Sequence, residues 1–402
     1  MDLQLEEALE RLCSVIPPAS GEEVSLAAAA GRIAARQVLS PIDLQPFDNS
    51  AMDGYAVRAA DVGSASLERP VQLRVAARTP AGEVLAQTIR NGECVRLFTG
   101  SVLPSGADAV VMQEDTRPAM PDAVLVLNPV LPGENIRRRG EDVACGAALC
   151  EAGDRLTAGR LSLLGAAGVS RVMAARRPTV AVIATGSELR EPGDVLARGQ
   201  IYESNRLGLA VLIEQAGALP RILPIVPDHL AATQTALAAA LKACDVVVTS
   251  GGVSVGELDL VKRAFEDVGG RLEFWRVAIK PGRPFTFGRF EKKLLFGLPG
   301  NPVSSLVTFQ LLVRPALLRF QGARQISLPS YPGRLTEALA NDGGRRHFMR
   351  VRTDAEGSVR SAGAQASHIL SSMAAANGLV DMPPHTSLPV GAAVRVLRWD
   401  PD

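Results

Sequence analysis

Four carboxylates in this 402-residue chain stand just beyond apolar runs. Glu188 follows "TVAVIATGS", Asp228 follows "RILPIVP", and Glu257 and Asp259 close "CDVVVTSGGVSVGELD". A glycine pair between an apolar run and a charged, helix-like segment is one way a chain turns its amides toward a phosphate. The usual phosphate loop is G-x-x-x-x-G-K-[ST]. Here the lysine is missing and acid takes its place. Carboxylate oxygens suit Mg²⁺, which takes one or two of them and completes its shell with substrate phosphate. Asp228 and Asp259 are therefore candidate metal ligands. Thr185, which opens "TGSEL", and Ser250, Gly251 and Gly252 are candidate phosphate contacts.

A second group is basic. From Arg276 to Lys293, "RVAIKPGRPFTFGRFEKK" carries six basic residues against one acidic. Arg276, Lys280 and Arg283 surround a Pro-Gly turn, an arrangement that directs two or three cations at one oxyanion. Farther on, "LLFGLPGNP" offers Asn301 as an N-cap and Pro302 as the first residue of a helix. The free amides of such a helix start attract anions. Metal, amides and cations together suit the breaking of a phosphoanhydride, which asks for geometry and charge stabilisation more than for a protein nucleophile. Cys145 and Cys150 form a C-x4-C pair with no second pair to complete a zinc site. The cysteines and the four histidines carry no catalytic expectation.

These groups need a scaffold, and composition permits one. Hydrophobic residues make up 47% and charged residues 21%, which indicates a folded chain. At one domain per ~150 residues, two to four domains follow. With 43 Lys+Arg against 42 Asp+Glu, nothing points to general attraction for nucleic acid or membrane. The start, "MDLQLEEALE", lacks the basic and apolar regions of a signal peptide, and no apolar run reaches the ~18 residues of a membrane span. A cytoplasmic protein is expected.

Four zones succeed one another. Residues 1–50, with part of 140–176, read as a helical or linker region. Leu5, Leu9, Leu12 and Ile16 recur at helical spacing, and "SLAAAAGRIAARQVL" continues the habit. Residues 51–145 hold short strand-like runs punctuated by Gly, Pro, Asn and Asp, a β-rich domain. Residues 177–326 alternate continuous apolar runs with helical stretches, which indicates a doubly wound α/β domain with a parallel sheet. Glu188 is placed at a helix start in this reading, and Pro315 is expected to bend or break the helix "NPVSSLVTFQLLVRPALLRF". Residues 327–402 return to short strands, a small C-terminal β-barrel. In an open α/β sheet ligands bind beyond the carboxyl ends of the strands, where the unusual residues fall.

"PFDNSAMDGYAVRAAD", "GENIRRRGEDV", "TSGGVSVGELD", "KPGRPFTFG" and "GLPGNPVSS", in this order, closely resemble the molybdopterin molybdenumtransferase family over nearly the whole chain. The resemblance implies insertion of molybdate into adenylylated molybdopterin with release of AMP, aided by Mg²⁺. It assigns Glu188, Asp228 and Asp259 to the adenylylated-pterin and metal site. Ser250, Gly251 and Gly252 go to its phosphate loop, and Lys280, Pro299 and Pro302 to the cleft. From the N-terminal motifs it adds Asp53, Thr99 and Asp142, and from the C-terminal zone Arg350 and Ser367 near molybdate. The catalytic set is then Asp53, Thr99, Asp142, Glu188, Lys280 and Arg283. Arg276 and Arg283 stand where many relatives carry lysine, which keeps charge and changes geometry. The resemblance also implies an elongated homodimer with a shared active site, and a molybdopterin adenylyltransferase as a candidate partner.

Two rival readings are open. One is a molybdopterin adenylyltransferase, which has no need of the "PFDNSAMDGYA" zone or the barrel. The other is a non-catalytic molybdopterin-binding scaffold, against which the intact acid set counts. AMP release separates the three.

Overall fold

The computed structural model describes residues 2–17, 20–252 and 260–399, so Glu257 and Asp259 lie outside the described residues. A six-stranded sheet organises the α/β domain. Leu219–Ile222, Thr179–Ala184, Val246–Ser250 and Lys293–Leu298 run parallel in that order, and Pro284–Phe290 and Arg271–Arg276 add two antiparallel strands. "TVAVIA" and "VVVTS" are buried almost throughout, as β-branched runs covered on both faces must be. One face packs on helices Asn205–Gln215 and Pro302–Phe320 through Leu209, Ile213, Val303 and Val307. The other packs on helices Leu230–Ala243 and Leu260–Asp267 through Leu237, Leu241, Val261 and Phe265. Register sets the function of this sheet. Ala184 lies opposite Ser250, and Ser250 opposite Leu298, so three strands end at one level and Thr185, Gly251 and Pro299 begin their loops side by side.

The helix Pro302–Phe320 continues past Pro315, so the proline, expected to bend or break it, does not break it. A π turn over Phe309–Val313 precedes the proline. Widening the turn accommodates a ring that has no N–H to give and would crowd an α-helical carbonyl. This helix is the single one among the described residues long and apolar enough to cross a membrane, and 83% of that window is buried inside the protein as core.

Two helical expectations fail nearby. Glu188 starts no helix: Leu189–Arg190 pairs with Ile201–Tyr202, and the helix begins only at Asn205. Pro192 and Gly193, the latter at φ 103°, favour this excursion over a helical turn. The segment "SLAAAAGRIAARQVL" is likewise not a helix. Gly21–Ser25 pairs with Arg171–Ala175, only Ala27–Ala29 winds into a short 3₁₀ turn, and Gly31 at φ 72° redirects the chain. Apolar spacing cannot register a strand partner about 150 residues away.

That pairing is the base of a two-stranded stem. Val38–Leu39 pairs with Ala148–Cys150, Leu44 with Val143, and Asn49–Ser50 with Ile136–Arg137, all antiparallel. Between the arms of the stem sits the β-rich domain, a six-stranded sheet of its own. Its Gly54–Val57 strand runs between Glu93–Leu97 and Ala109–Met112. A Cβ on Gly54 would lie 2.1 Å from the Val111 carbonyl oxygen, which explains the glycine of "DNSAMDGYA".

The amino-terminal helix Leu5–Ser14 does not join this first zone. Leu5, Ala8 and Leu12 enter the α/β core beside Leu312 and Ala316. Leu3 bridges Val277, Asp2 pairs with Arg283, and Glu6 pairs with Arg346 of the C-terminal domain. That last domain is a closed barrel: Ser330–Leu335, Arg346–Thr353, Ser358–Ser361, Gly378–Met382 and Ala393–Arg398 pair in a ring.

Candidate functional site

The aligned strand ends open onto a cavity of about 700 Å³ lined by Thr185, Glu188, Asp228, Ser250, Gly251, Gly252, Pro299 and Pro302. All were singled out from the sequence. Gly251 and Gly252 take φ of 92° and 67°, and a Cβ on either would strike Thr185 or Val261 within 3 Å. Only glycine lets the backbone pass there. The Thr185 hydroxyl beneath them is buried with no partner among the described residues. Ser187 and Asp228 exchange hydrogen bonds: the Ser187 amide donates to Asp228 Oδ2 at 3.1 Å, and the Asp228 amide donates to Ser187 Oγ at 3.0 Å. This clasp brings the Glu188 and Asp228 loops to the same cavity.

Sequence reasoning missed Asn205, Glu203 and Tyr202. Asn205 is buried, and its Nδ2 donates to Ser250 Oγ at 2.7 Å and to the Gly300 carbonyl at 2.8 Å, tying the glycine loop to the "LPGNP" loop. Glu203 is locked to the buried Arg206, whose other nitrogen reaches Glu191. Ile201 and Tyr202 form an exposed apolar wall. No spacing signal in "IYESNRL" distinguishes a clamp from an ordinary helix start. Asn205→Ala should cost about 1–3 kcal/mol, because it removes the partner of the buried Ser250 hydroxyl. It should weaken pyrophosphate binding roughly tenfold, the equivalent of one such hydrogen bond. Thermal denaturation and titration calorimetry measure the two effects, and unchanged binding would make Asn205 purely structural.

A second cavity, about 650 Å³, adjoins the first. Lys280, Arg283, Arg345, Pro299 and Ser367 line it, with Gln365 and His368. Gly282, at φ 102°, presses the Lys280–Arg283 turn against the long helix, where a Cβ would meet Thr308 at 2.1 Å. Arg283 gives Nε to Asp2 Oδ2 at 2.7 Å, so one edge of its guanidinium is occupied. Arg345 Nη1 donates to the Ile279 carbonyl at 3.2 Å. Asn301 does not cap its helix with its side chain; Nδ2 donates instead to Ser367 Oγ at 3.1 Å. The C-terminal domain is thereby fastened to the start of the long helix.

Two basic expectations move. Arg350 lies behind the wall, fully buried, donating to Ser372 Oγ and to the carbonyls of Ala364 and Ala366. Burial pulls its guanidinium down to about 10. It supports the segment bearing Ser367 rather than lining the cavity. Arg276 stacks on Trp275, 3.9 Å from the ring centroid, and lines neither cavity.

His347 is buried next to this cluster, opposite Lys280 in the barrel ladder, and neither ring nitrogen has a partner among the described residues. Burial, then the charges of Lys280, Arg350 and Arg345, push it down to about 4. An unfolded chain protonates histidine near 6.5, so between those values the unfolded state binds the extra proton. The stabilisation is complete above pH 6.5 and drains away as pH falls toward 4. Acidification over that range should cost roughly 2–3 kcal/mol, and His347→Leu should flatten the slope in urea titrations at stepped pH. An equal slope in both proteins would assign the acid sensitivity elsewhere.

The N-terminal candidates lie apart. Asp53 Oδ1 accepts the Thr99 amide and hydroxyl, both at 2.8 Å. Those bonds, the amide first, hold its carboxyl below the usual range. Asp142 is exposed on the stem, its amide bonded to the Leu44 carbonyl. The neighbouring Arg138 and Arg139 pair with Asp48 and Asp43. None of Asp53, Thr99 and Asp142 lines either cavity of its own chain. Asp259, expected to complete the acid set, lies outside the described residues.

Known proteins match along the chain. Residues 3–168 match the family described as MoeA N-terminal region (domain I and II), 181–319 the probable molybdopterin binding domain, and 332–399 the MoeA C-terminal region (domain IV). A Haemophilus influenzae protein named molybdopterin molybdenumtransferase is 40% identical over 381 residues, covering 93% of each chain. A Mycobacterium tuberculosis protein named molybdopterin molybdenumtransferase 2 is 39% identical over 383 residues, covering 94% of each. A crystal structure of a molybdopterin biosynthesis moeA protein from Pyrococcus horikoshii superposes with a TM-score of 0.86 at 32% identity, over 99% of this chain and 100% of the other.

Proposed function

This chain belongs to the molybdopterin molybdenumtransferase family, and from that premise we propose how its two cavities divide the work. The protein is a transferase that inserts molybdenum into molybdopterin in molybdenum cofactor biosynthesis. Adenylylated molybdopterin is the substrate form, and AMP leaves as molybdate enters. The observation that supports this is the adjacency of an acid-and-amide cavity to a cationic one. The first suits a pyrophosphate with its metal, the second an oxyanion.

In the first cavity the Gly252 amide and the Ser250 hydroxyl take phosphate oxygens, while the Gly251 amide is held by the Leu298 carbonyl and fixes the loop. Glu188 and Asp228 both line this cavity and are hard oxygen donors of the kind Mg²⁺ takes, and Asp259 is the third acid of the proposed set. Bound there, Mg²⁺ would offset charge on the phosphates. In the second cavity Lys280, Arg345 and the open edge of Arg283 hold molybdate, with Ser367 as a hydroxyl donor. Pro299 and Pro302 shape the passage between. Asp53, Thr99 and Asp142, remote from the cavities of their own chain, serve the partner's site in a homodimer. Five free cysteines suit the reducing cytoplasm, where a molybdopterin adenylyltransferase would supply the substrate.

The test is direct. Purified protein is given adenylylated molybdopterin and Mg²⁺, with and without molybdate, and AMP and pterin-bound molybdenum are measured. AMP appearing with molybdate supports the reading. A substrate bound but never cleaved would overturn it.

A further inference from the structure

Four residues belong to both cavities: Pro284, Pro299, Asn301 and His368. Substrate bridging the cavities must react along this shared wall. Building on the molybdenum-insertion reading, we propose that His368 is a catalytic residue that relays protons from the substrate's sulfurs to the oxygen leaving molybdate.

The chemistry creates the need. When a dithiol captures molybdate, two Mo–S bonds form and one Mo–O bond breaks. The departing oxygen leaves as water, carrying the two protons that the thiols give up. Charge is conserved and molybdenum keeps its oxidation state, so no oxidant or reductant is consumed. The protons, however, begin on sulfur and finish on oxygen. A relay must accept one and donate one near neutral pH, which imidazole does with its two ring nitrogens. Among the described residues His368 is the single titratable side chain on the shared wall.

Its placement is fixed and its side chain is open. Ser367, just before it, accepts the Val303 amide on its carbonyl at 3.3 Å, and the His368 carbonyl accepts the Leu370 amide at 3.1 Å. Arg350 anchors the preceding residues from behind. The imidazole itself is exposed at the junction. Cations face it from the basic turn and the barrel: Lys280, Arg283 and Arg345. Carboxylates face it from the first cavity: Glu188, Glu203 and Asp228. On its own segment and the long helix the neighbours are uncharged, Gln365, Ser367, Asn301 and Ser304.

His368→Ala in the full-length protein tests this, assayed for molybdenum insertion at saturating molybdate across pH 6–9, with thermal denaturation as a check on folding. The rate should fall about 100-fold, within the usual range for a lost acid–base group. KM for molybdate should change less than about threefold, because a relay acts after binding. The pH profile should flatten, and added imidazole should restore part of the rate to His368→Ala but none to wild type. An unchanged rate and profile would overturn the proposal. So would a loss confined to molybdate KM, which would make His368 an anion contact. Wild-type protein that releases no AMP and inserts no molybdenum would overturn the underlying reading, and the relay with it.

Discussion

Asp228→Asn should lower molybdate-dependent AMP release by roughly 10²–10³-fold while leaving the fold intact, the range seen when one preorganised electrostatic group is removed. The substitution isolates charge from shape. Asparagine retains an oxygen that can accept the Ser187 amide, and the Asp228 amide still donates to Ser187 Oγ. The two loops therefore stay clasped while the cavity loses a negative charge. The Mg²⁺ concentration needed for half-maximal rate should rise in parallel, because fewer hard donors remain. Measuring AMP by chromatography over a magnesium titration reads both effects. Asp259→Asn should behave alike. Wild-type turnover with an unchanged metal requirement would remove Asp228 from the metal site.

Co-expressing Asp53→Ala and Asp228→Ala chains should restore activity that neither has alone. Asp53 is held by Thr99 in the β-rich domain and lines no cavity of its own chain, whereas Asp228 lines the first cavity. If each site combines the N-terminal region of one subunit with the α/β domain of the other, a mixed dimer has one doubly damaged site and one intact site. Random pairing makes half the dimers mixed, so activity should return to roughly a quarter of wild type by this symmetry count. Differential tags confirm that mixed dimers form. Should they form and remain inactive, each site is built within a single chain.

Strand-end loops were the most legible feature of this chain. "TVAVIA", "CDVVVTS" and "LLFGL" announce buried parallel strands, and residues just past them line one cavity because the register aligns their ends. Local sequence carries that information. Long-range pairing is not written locally, so "SLAAAAGRIAARQVL" reads as helical although Ile33 bridges Arg155, Ala34 bridges Ala174 and Val38–Leu39 pairs with Ala148–Cys150. Arg350 shows a related limit: sequence reveals a cation but not whether its donors face solvent or three protein acceptors. His368 shows the converse. Nothing in "GAQASHIL" marks a histidine as belonging to two cavities, since that depends on how the barrel is fastened to the long helix by Asn301 and Ser367.

The stem imposes a timetable on synthesis. Gly21–Ser25 cannot pair until Arg171–Ala175 emerges about 150 residues later, a wait of about 8–30 s at the usual ~5–20 residues/s. Meanwhile the β-rich sheet held between its arms has every strand by Val126. That sheet can close on the ribosome before either arm of its stem is joined, and the stem then zips from the inside outward. The amino-terminal helix waits longest, because Leu312 and Ala316, against which Leu5, Ala8 and Leu12 pack, come about 300 residues behind it. Leu5, Ala8 and Leu12 thus leave the tunnel long before they find their place, and a nascent chain arrested before that point displays their apolar face to chaperones and proteases.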